Sequence, residues 1–218
     1  MSSLTPEINF ESHSRCQEII RQIISKKYYK VAYLEYRSDP TNYYINKINV
    51  FYDKIGAHEI KKIDLDLNYN ENERNSIFDY DVLHLSSGNT FDYLWQLKKM
   101  KYIEIIKGFS KLNKLIVGHS AGSLLPSPTI GTAIYGDENE IDLKDLNSLD
   151  LIDFEFFPHW NEWSYFLDKL KEYSRMNQIN IFLVEDGEGM IIDDDRKYII
   201  GNIRMIENGI YKEKGKFT

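Results

Sequence analysis

Residues Gly118-His119-Ser120-Ala121-Gly122 set a serine between two glycines, directly after the apolar run Leu115-Ile116-Val117 and before a helix-compatible stretch. A serine on a sharp strand-to-helix turn is a nucleophile elbow. The bend holds it in strained backbone geometry and lifts its Oγ into the open. Small residues on either side let strand and helix approach closely. The N–H of Ala121 then lies at a helix N-terminus, where the dipole favours developing negative charge. The pattern alone is weak. Its placement between an apolar strand and a helix carries the reading, against the plain alternative of a tight glycine turn with a serine cap.

A serine hydroxyl is a poor nucleophile until a base takes its proton. The chain has five histidines. His13 sits in a polar N-terminal segment, and His58 starts a strand. His84 lies inside an apolar strand, where a satisfied core histidine is expected. His119 adjoins the serine, but neighbours on an elbow point in different directions. His159, in Phe157-Pro158-His159-Trp160, is best placed, at the end of an apolar strand where active-site loops emerge. A third group must orient that imidazole and stabilise its cation. Asp137, Glu138, Glu185 and Asp186 are candidates, and spacing does not choose among them. A second turn, Ser86-Ser87-Gly88-Asn89-Thr90-Phe91, opens another helix. Its backbone N–H groups suit the other half of an oxyanion hole; read plainly, it is a strand-to-helix turn with an Asn89 cap.

The elements that must position these residues can be read from periodicity. Cys16, Ile19, Ile20, Ile23 and Ile24 share one face of an amphipathic helix. Val31 to Tyr36 reads as a strand, broken by Asp39-Pro40. Tyr44, Ile45, Ile48, Phe51, Tyr52 and Ile55 share a helical face that Gly56 stops. Glu59 to Leu65 and Asp81 to Leu85 read as strands. Thr90 to Met100 reads as a helix with Phe91, Leu94, Trp95 and Leu97 apolar, and Leu115 to Val117 as a short buried strand. Such alternation implies a parallel sheet with helices on both faces. Pro126 and Pro128 end any helix after Leu125. Thr129 to Asp150 reads as a surface loop, Phe154 to Phe157 as a strand, and Glu162 to Met176 as a helix with Trp163, Phe166, Leu167 and Leu170 inward. Ile181 to Val184, Met190 to Ile192, Tyr198 to Ile200 and Ile203 to Ile206 read as short strands. Turn signals separate them at Asp193-Asp194-Asp195, Gly201-Asn202 and Asn208-Gly209. No linker divides the chain, so a single α/β domain over residues 1–218 is expected.

Composition excludes several classes. With 42% hydrophobic and 28% charged residues in a chain of 218, wholesale disorder is ruled out. A net charge of −7 lacks the basic footprint of a nucleic-acid binder. The lone Cys16 excludes an intrachain disulfide and a cysteine zinc cage. No apolar run approaches the roughly 20 residues that span a bilayer. Met1 to Arg15 has no apolar signal region, so a cytoplasmic protein without membrane attachment is expected. Asp193-Asp194-Asp195 lacks the spacing of a calcium loop, and Lys212, Lys214 and Lys216 read as a solvated end. Neither metal nor cofactor is expected, and nothing in the pattern indicates an oligomeric state.

Taken together, the motifs resemble those of the peptidase E family of serine peptidases, which includes the α-aspartyl dipeptidases and, more distantly, cyanophycinase. Ser86 to Phe91 looks like the family's G-G-N-T-F turn. G-H-S-A-G, followed by Pro126 to Ile130 (P-S-P-T-I), looks like its G-x-S-A-G and downstream P-T-I. F-P-H-W looks like the segment bearing its histidine. The order is the same, and the resemblance runs from about Tyr29 to the C-terminal strands. It implies a flavodoxin-like sheet akin to class I glutamine amidotransferases, with serine in place of their elbow cysteine. It implies Ser120 as nucleophile, His159 as general base, and Gly88 and Ala121 as oxyanion-hole donors through their N–H groups. Where the aspartyl dipeptidases carry an arginine after P-T-I, Gly131 stands here; at the spacing of an aspartate assigned to their triad stands Tyr135, with Asp137 two residues on. The basic residues that would grip an acidic substrate are not evident in Asn161 to Leu170. Glu185, in Leu183-Val184-Glu185-Asp186-Gly187, resembles a glutamate that other members use, so Glu185 is the implied triad acid and Asp137 the alternative.

The function expected is that of a serine-type peptidase, dipeptidase-like, cleaving short peptides through an acyl-enzyme on Ser120. The departures motivate a second reading, a non-catalytic binding or regulatory domain on the same scaffold. A third is a small-molecule esterase. The order Ser120, Asp137 or Asp150, His159 suits it formally, but no HGG-type motif precedes the elbow.

Overall fold

The computed structural model describes residues 20–21, 24, 29–37, 39–65, 71–193 and 196–213. Cys16, Ile19 and Ile23 of the expected first helix lie outside the described residues, as do His13, Asp194, Asp195, Lys214 and Lys216. The chain forms two compact units, one covering residues 24–155 and the other holding residues 156–213 with Ile20 and Arg21.

In the first unit, β1 (Tyr29–Glu35), β2 (Ala57–Asp64), β3 (Val82–Leu85) and β4 (Leu115–Gly118) form a parallel sheet in the order β2-β1-β3-β4. Val31, Ala32, Leu34, Val82, Leu83 and Leu85 are fully covered, as a sheet packed on both faces requires. Half-buried β4 departs from the expected buried strand, because it is the outermost strand of this sheet. The order is the flavodoxin-like one, and its winding reverses between β1 and β3. Loops leaving the two strands there diverge and open a crevice at the carboxyl ends.

Helices fill the crossovers. α1 (Tyr43–Asp53) buries Ile45 and Tyr52 and is stopped by Gly56 at φ 92°. α2 (Glu71–Ser76) and α4 (Ile103–Ser110) are short helices that periodicity did not single out. α3 (Thr90–Lys99) starts where expected: the Asn89 side chain accepts from the N–H groups of Phe91 and Asp92 at 3.0 and 3.1 Å. Phe91, Leu94 and Leu97 face the core. Trp95 faces out, with Lys99 Nζ 4.4 Å from its ring centre.

The stretch 129–150 is not the surface loop expected. A 3-10 turn spans Gly131–Tyr135, and Ile130, Thr132, Ala133, Ser148 and Leu149 are buried. Backbone bonds lace it back along the Pro126–Ile130 segment: Ser148 N–H to Pro128 O, Leu149 N–H to Leu125 O, and Leu151 N–H to Pro126 O. The two prolines lack donors, so this segment accepts bonds rather than continuing a helix. Buried Glu155 anchors it, accepting from Thr129 Oγ1 at 2.5 Å and Thr132 N–H at 3.0 Å.

A second sheet runs in the order β10-β9-β6-β5, from β5 (Phe154–Phe157), β6 (Asn180–Leu183), β9 (Arg204–Glu207) and β10 (Ile210–Lys212). β9 is antiparallel to both β6 and β10. Asn208 and Gly209, at φ 50° and 78°, make the two-residue turn joining β9 to β10, the form that matches strand twist. β7 (Gly189–Asp193) and β8 (Arg196–Ile200) pair as a separate antiparallel ribbon. The expected helix over 162–176 is broken into α6 (Trp160–Trp163), a 3-10 turn at Ser164–Phe166, and α7 (Leu167–Asn177). A 3-10 turn advances the face faster than an α-helix. Leu170 is therefore buried while Trp163, Phe166 and Leu167 are only half-buried. Among the described residues, no helix is long and apolar enough to cross a membrane.

Candidate active site

Ser120 stands between β4 and the short α5 (Ala121–Leu124) at φ 51°, ψ −118°. A non-glycine residue held there carries strain on the order of 1–3 kcal/mol, and persists only where its surroundings over-determine it. They do. His119 N–H donates to Leu85 O at 3.1 Å, Gly122 N–H to Ser86 O at 3.0 Å, and Ser123 N–H to Ser120 O at 2.8 Å. The flanking glycines are steric necessities. A Cβ on Gly118 would overlap the Gly122 carbonyl, and one on Gly122 would overlap the Leu85 carbonyl and reach Ser86 O. Gly122→Ala is therefore expected to lower the unfolding free energy by about 2–3 kcal/mol. Gly136→Ala, where an added Cβ meets nothing within 4 Å, should stay within about 0.5 kcal/mol of wild type. Urea denaturation of the two variants checks the contrast, and equal midpoints would contradict it.

The turn after β3 is tied to the elbow through Ser86, whose carbonyl accepts from Gly122. Ser86 N–H also meets Tyr93 Oη at 3.1 Å, and that hydroxyl donates to Leu34 O at 2.5 Å. Buried Tyr93 thus pins the turn to β1. Gly88 has φ 143°, and the Tyr36 ring occupies the space its Cβ would need. Asp137, the alternative acid from the sequence, is engaged by Thr90. Its Oδ2 accepts from Thr90 N–H at 2.9 Å and Thr90 Oγ1 at 2.5 Å. A carboxylate at the head of α3 complements the helix dipole. With Asn89 Nδ2 donating to Glu138 O at 2.8 Å, it fastens the Gly88 turn to the following loop.

Of the histidines, His84 is a core residue. It is buried, with Nδ1 2.9 Å from Tyr52 Oη, and burial lowers its pKa to about 3, with His119 a lesser contributor. It stays neutral at physiological pH. The His119 ring lies 6.5 Å from that of His84.

His159 precedes α6 at φ 57°, ψ 34°. Val184 N–H bonds to Phe157 O and Trp160 N–H to Val184 O, both at 3.0 Å, so the segments leaving β5 and β6 run side by side. This brings His159 Nδ1 to 2.6 Å from Asp186 Oδ1. The Asp186 carboxylate is held in turn by Asn161, whose Nδ2 lies 3.3 Å from Oδ2 and whose Oδ1 accepts from Asp186 N–H at 3.1 Å. Glu185, expected in that place, instead pairs with Arg204 at 2.5 Å. The correction has a simple cause: successive residues leaving a strand project to opposite sides. The 185–188 turn, closed by Glu188 N–H to Glu185 O at 3.0 Å, keeps them apart. A carboxylate only accepts, so Nδ1 carries a hydrogen; in the neutral ring that leaves the lone pair on Nε2, the tautomer a general base needs.

Asp186 was one candidate among four in the sequence. Asn161, Tyr93 and Tyr36 had no local signal, because each acts through partners distant in the chain. Among the described residues, no group of three or more His, Cys, Asp or Glu side chains could hold a metal ion.

The sequence model of peptidase family S51 matches residues 3–200. The chain belongs to that family. S51 membership accords with the relatives found by sequence. An uncharacterized peptidase of Pasteurella multocida is 25% identical over 126 residues, covering 56% of this chain and 60% of that protein. One of Listeria monocytogenes is 32% identical over 83 residues, covering 37% of this chain and 40% of its own. Peptidase E of Shewanella baltica is 25% identical over 135 residues, covering 58% and 56%. The matched stretches thus span less than two thirds of these relatives' lengths. By structure, a Listeria monocytogenes protein named for peptidase E superposes with a TM-score of 0.69 at 20% identity, covering 84% of this chain and 91% of that one. A peptidase from an acI-B1 Actinobacterium superposes with a TM-score of 0.69 at 11% identity, covering 97% and 91%. These likenesses establish the S51 chain as an α/β fold of the peptidase E, class I glutamine amidotransferase-like kind.

Proposed function

We propose that the chain is a serine peptidase that cleaves short peptides through an acyl-enzyme on Ser120. One observation carries the reading: Ser120 is held at φ 51° on a strand-to-helix bend that two glycines make possible. A serine with only a capping role would not need that strain. The His159–Asp186 pair supplies the second component, an imidazole in the tautomer that can accept a proton.

In this mechanism Nε2 of His159 takes the Ser120 hydroxyl proton as Oγ bonds to the substrate carbonyl carbon. The carbonyl electron pair moves to oxygen, and the N–H groups of Gly88 and Ala121 hold that oxyanion. One such donor is worth about 10² to 10³ in rate. Collapse breaks the C–N bond, and the imidazolium passes its proton to the leaving amine. Water, deprotonated by the same imidazole, then releases the acyl group and restores Ser120. Asp186 stabilises the imidazolium throughout.

A fluorophosphonate probe tests the assignment. Intact-mass analysis should show one adduct, and peptide mapping should place it on Ser120. Gly131 after P-T-I, and Lys169 as the single cation over Asn161 to Leu170, favour a binding-only alternative. That alternative predicts a folded protein without an adduct, and such a result would overturn the peptidase reading.

A further inference from the structure

The crevice between β1 and β3 carries a cation that the mechanism above does not use. β1 ends at Glu35, and the chain leaves through Tyr36 and Arg37. The Tyr36 ring lies against Gly88 on one side and tilts over Tyr93 with ring centres 5.7 Å apart. The Arg37 guanidinium carbon stands 5.7 Å from the Tyr36 ring centre, and Nη2 donates to Asp92 Oδ2 at 3.0 Å. The Tyr36 ring is therefore a neighbour shared by the guanidinium and the Gly88 turn. Asp92 lies in the first turn of α3, the helix that this turn opens, so the cation and the turn share one support.

Two restraints, a cation–π contact and an ion pair, hold the guanidinium in place, yet 66% of the Arg37 side chain is exposed, against 18% for Asp92. A guanidinium offers five N–H donors in a rigid fork, and the Asp92 contact engages one of its nitrogens. An edge remains that matches a second carboxylate. An arginine with no ligand role would gain little from such restraint, since an exposed pair contributes at most about 1 kcal/mol. The location is also the switch-point crevice, where sheets of this kind bind ligands.

We propose that Arg37 binds the C-terminal carboxylate of a short peptide whose scissile carbonyl lies at Gly88. The inference rests on the peptidase reading and deepens it by assigning a specificity residue, one that favours peptides ending one or two residues beyond the cleaved bond. One residue spans about 3.3–3.6 Å, so the terminal carboxylate of such a peptide lies about 4–7 Å from the scissile carbonyl. That reach is of the same order as the 5.7 Å between the Tyr36 ring centre and the guanidinium carbon. A longer peptide presents a neutral amide there, and the charged arginine gains nothing from it. Recognition of the terminal carboxylate is independent of side chain, which suits a chain lacking the arginine after P-T-I.

The test compares alanyl-leucine with its C-terminal amide, and aspartyl-leucine with its amide, in wild type, Arg37→Gln and Arg37→Lys. In wild type kcat/KM should favour each free acid over its amide by about 10- to 100-fold, mainly through KM. In Arg37→Gln the ratio should fall to about 1 for both pairs. Arg37→Lys should keep part of it, because lysine retains the charge without the fork. Thermal unfolding within a few degrees of wild type shows that the variants are folded. An acid-to-amide ratio unchanged in Arg37→Gln overturns the proposal. So does a loss confined to aspartyl substrates, which would make Arg37 a reader of acidic side chains. Calorimetric titration of alanyl-leucine into Ser120→Ala, and into Ser120→Ala with Arg37→Gln, measures binding without turnover. It tests Arg37 even if fluorophosphonate labelling fails and the peptidase reading falls. Equal affinity in the two proteins overturns the proposal.

Discussion

Ser120→Gly is expected to unfold at a higher temperature than wild type and to hydrolyse no peptide. At φ 51°, ψ −118° a serine Cβ is held against the local backbone, and glycine relieves strain on the order of 1–3 kcal/mol. Glycine also loses about 0.5–1 kcal/mol more entropy on folding, which offsets part of the gain. The net is about 1 kcal/mol, or roughly 2–4 °C in Tm for a chain of this size. Ser120→Ala keeps the Cβ and the strain, so it should lose the activity without the gain in Tm. Both variants should lower kcat by on the order of 10⁶, the scale set by loss of a serine nucleophile. Differential scanning calorimetry and peptide turnover separate the two properties. A glycine variant less stable than the alanine variant would show that the bend is unstrained. Turnover surviving in either would remove Ser120 from the mechanism.

Asp186→Asn and Glu185→Gln should differ by about four orders of magnitude in kcat, although the residues are neighbours. Asp186 accepts from His159 Nδ1 at 2.6 Å and is braced by Asn161 on its other oxygen. An asparagine can turn its amide donors toward Nδ1, which then presents its lone pair, leaving the hydrogen on Nε2. That is the wrong tautomer for a base, and loss of the charge destabilises the imidazolium as well. Loss of the aspartate in a triad of this kind costs about 10⁴ in kcat. Glu185→Gln removes a pair with Arg204 in which both side chains are partly exposed, worth at most about 1 kcal/mol. Its kcat should stay within a few-fold of wild type. A small effect at Asp186 with a large one at Glu185 would restore the glutamate that the family resemblance pointed to.

The reason the resemblance pointed one residue away is instructive. Leu183-Val184-Glu185-Asp186 presents two adjacent carboxylates at the end of β6, and alignment of motif order has a resolution of about one residue there. The choice between them rests on side-chain direction after the strand, which the Phe157–Val184–Trp160 backbone bonds set. Asp137 shows the same limit in another form. Its position after the elbow suited a triad acid, but Thr90, 47 residues earlier, takes its carboxylate. The helix expected over 162–176 failed differently: its apolar spacing was real, and a 3-10 turn at Ser164–Phe166 broke the face.

Local patterns sufficed for the features built from local forces. The Gly118–Ser120–Gly122 bend, the Asn89 cap, the stop at Gly56 and the parallel alternation of β1 to β4 all depend on residues within a few positions of one another. Backbone sterics and hydrogen bonds act at that range. Pairings across 27 residues for His159 with Asp186, and across 55 for Arg37 with Asp92, depend instead on strand order and on the paths of the connecting segments. Those are decided by how the whole chain buries its apolar surface. No spacing rule contains that information, so which carboxylate meets His159, and which cation pairs with Asp92 beside Tyr36, emerged only in three dimensions.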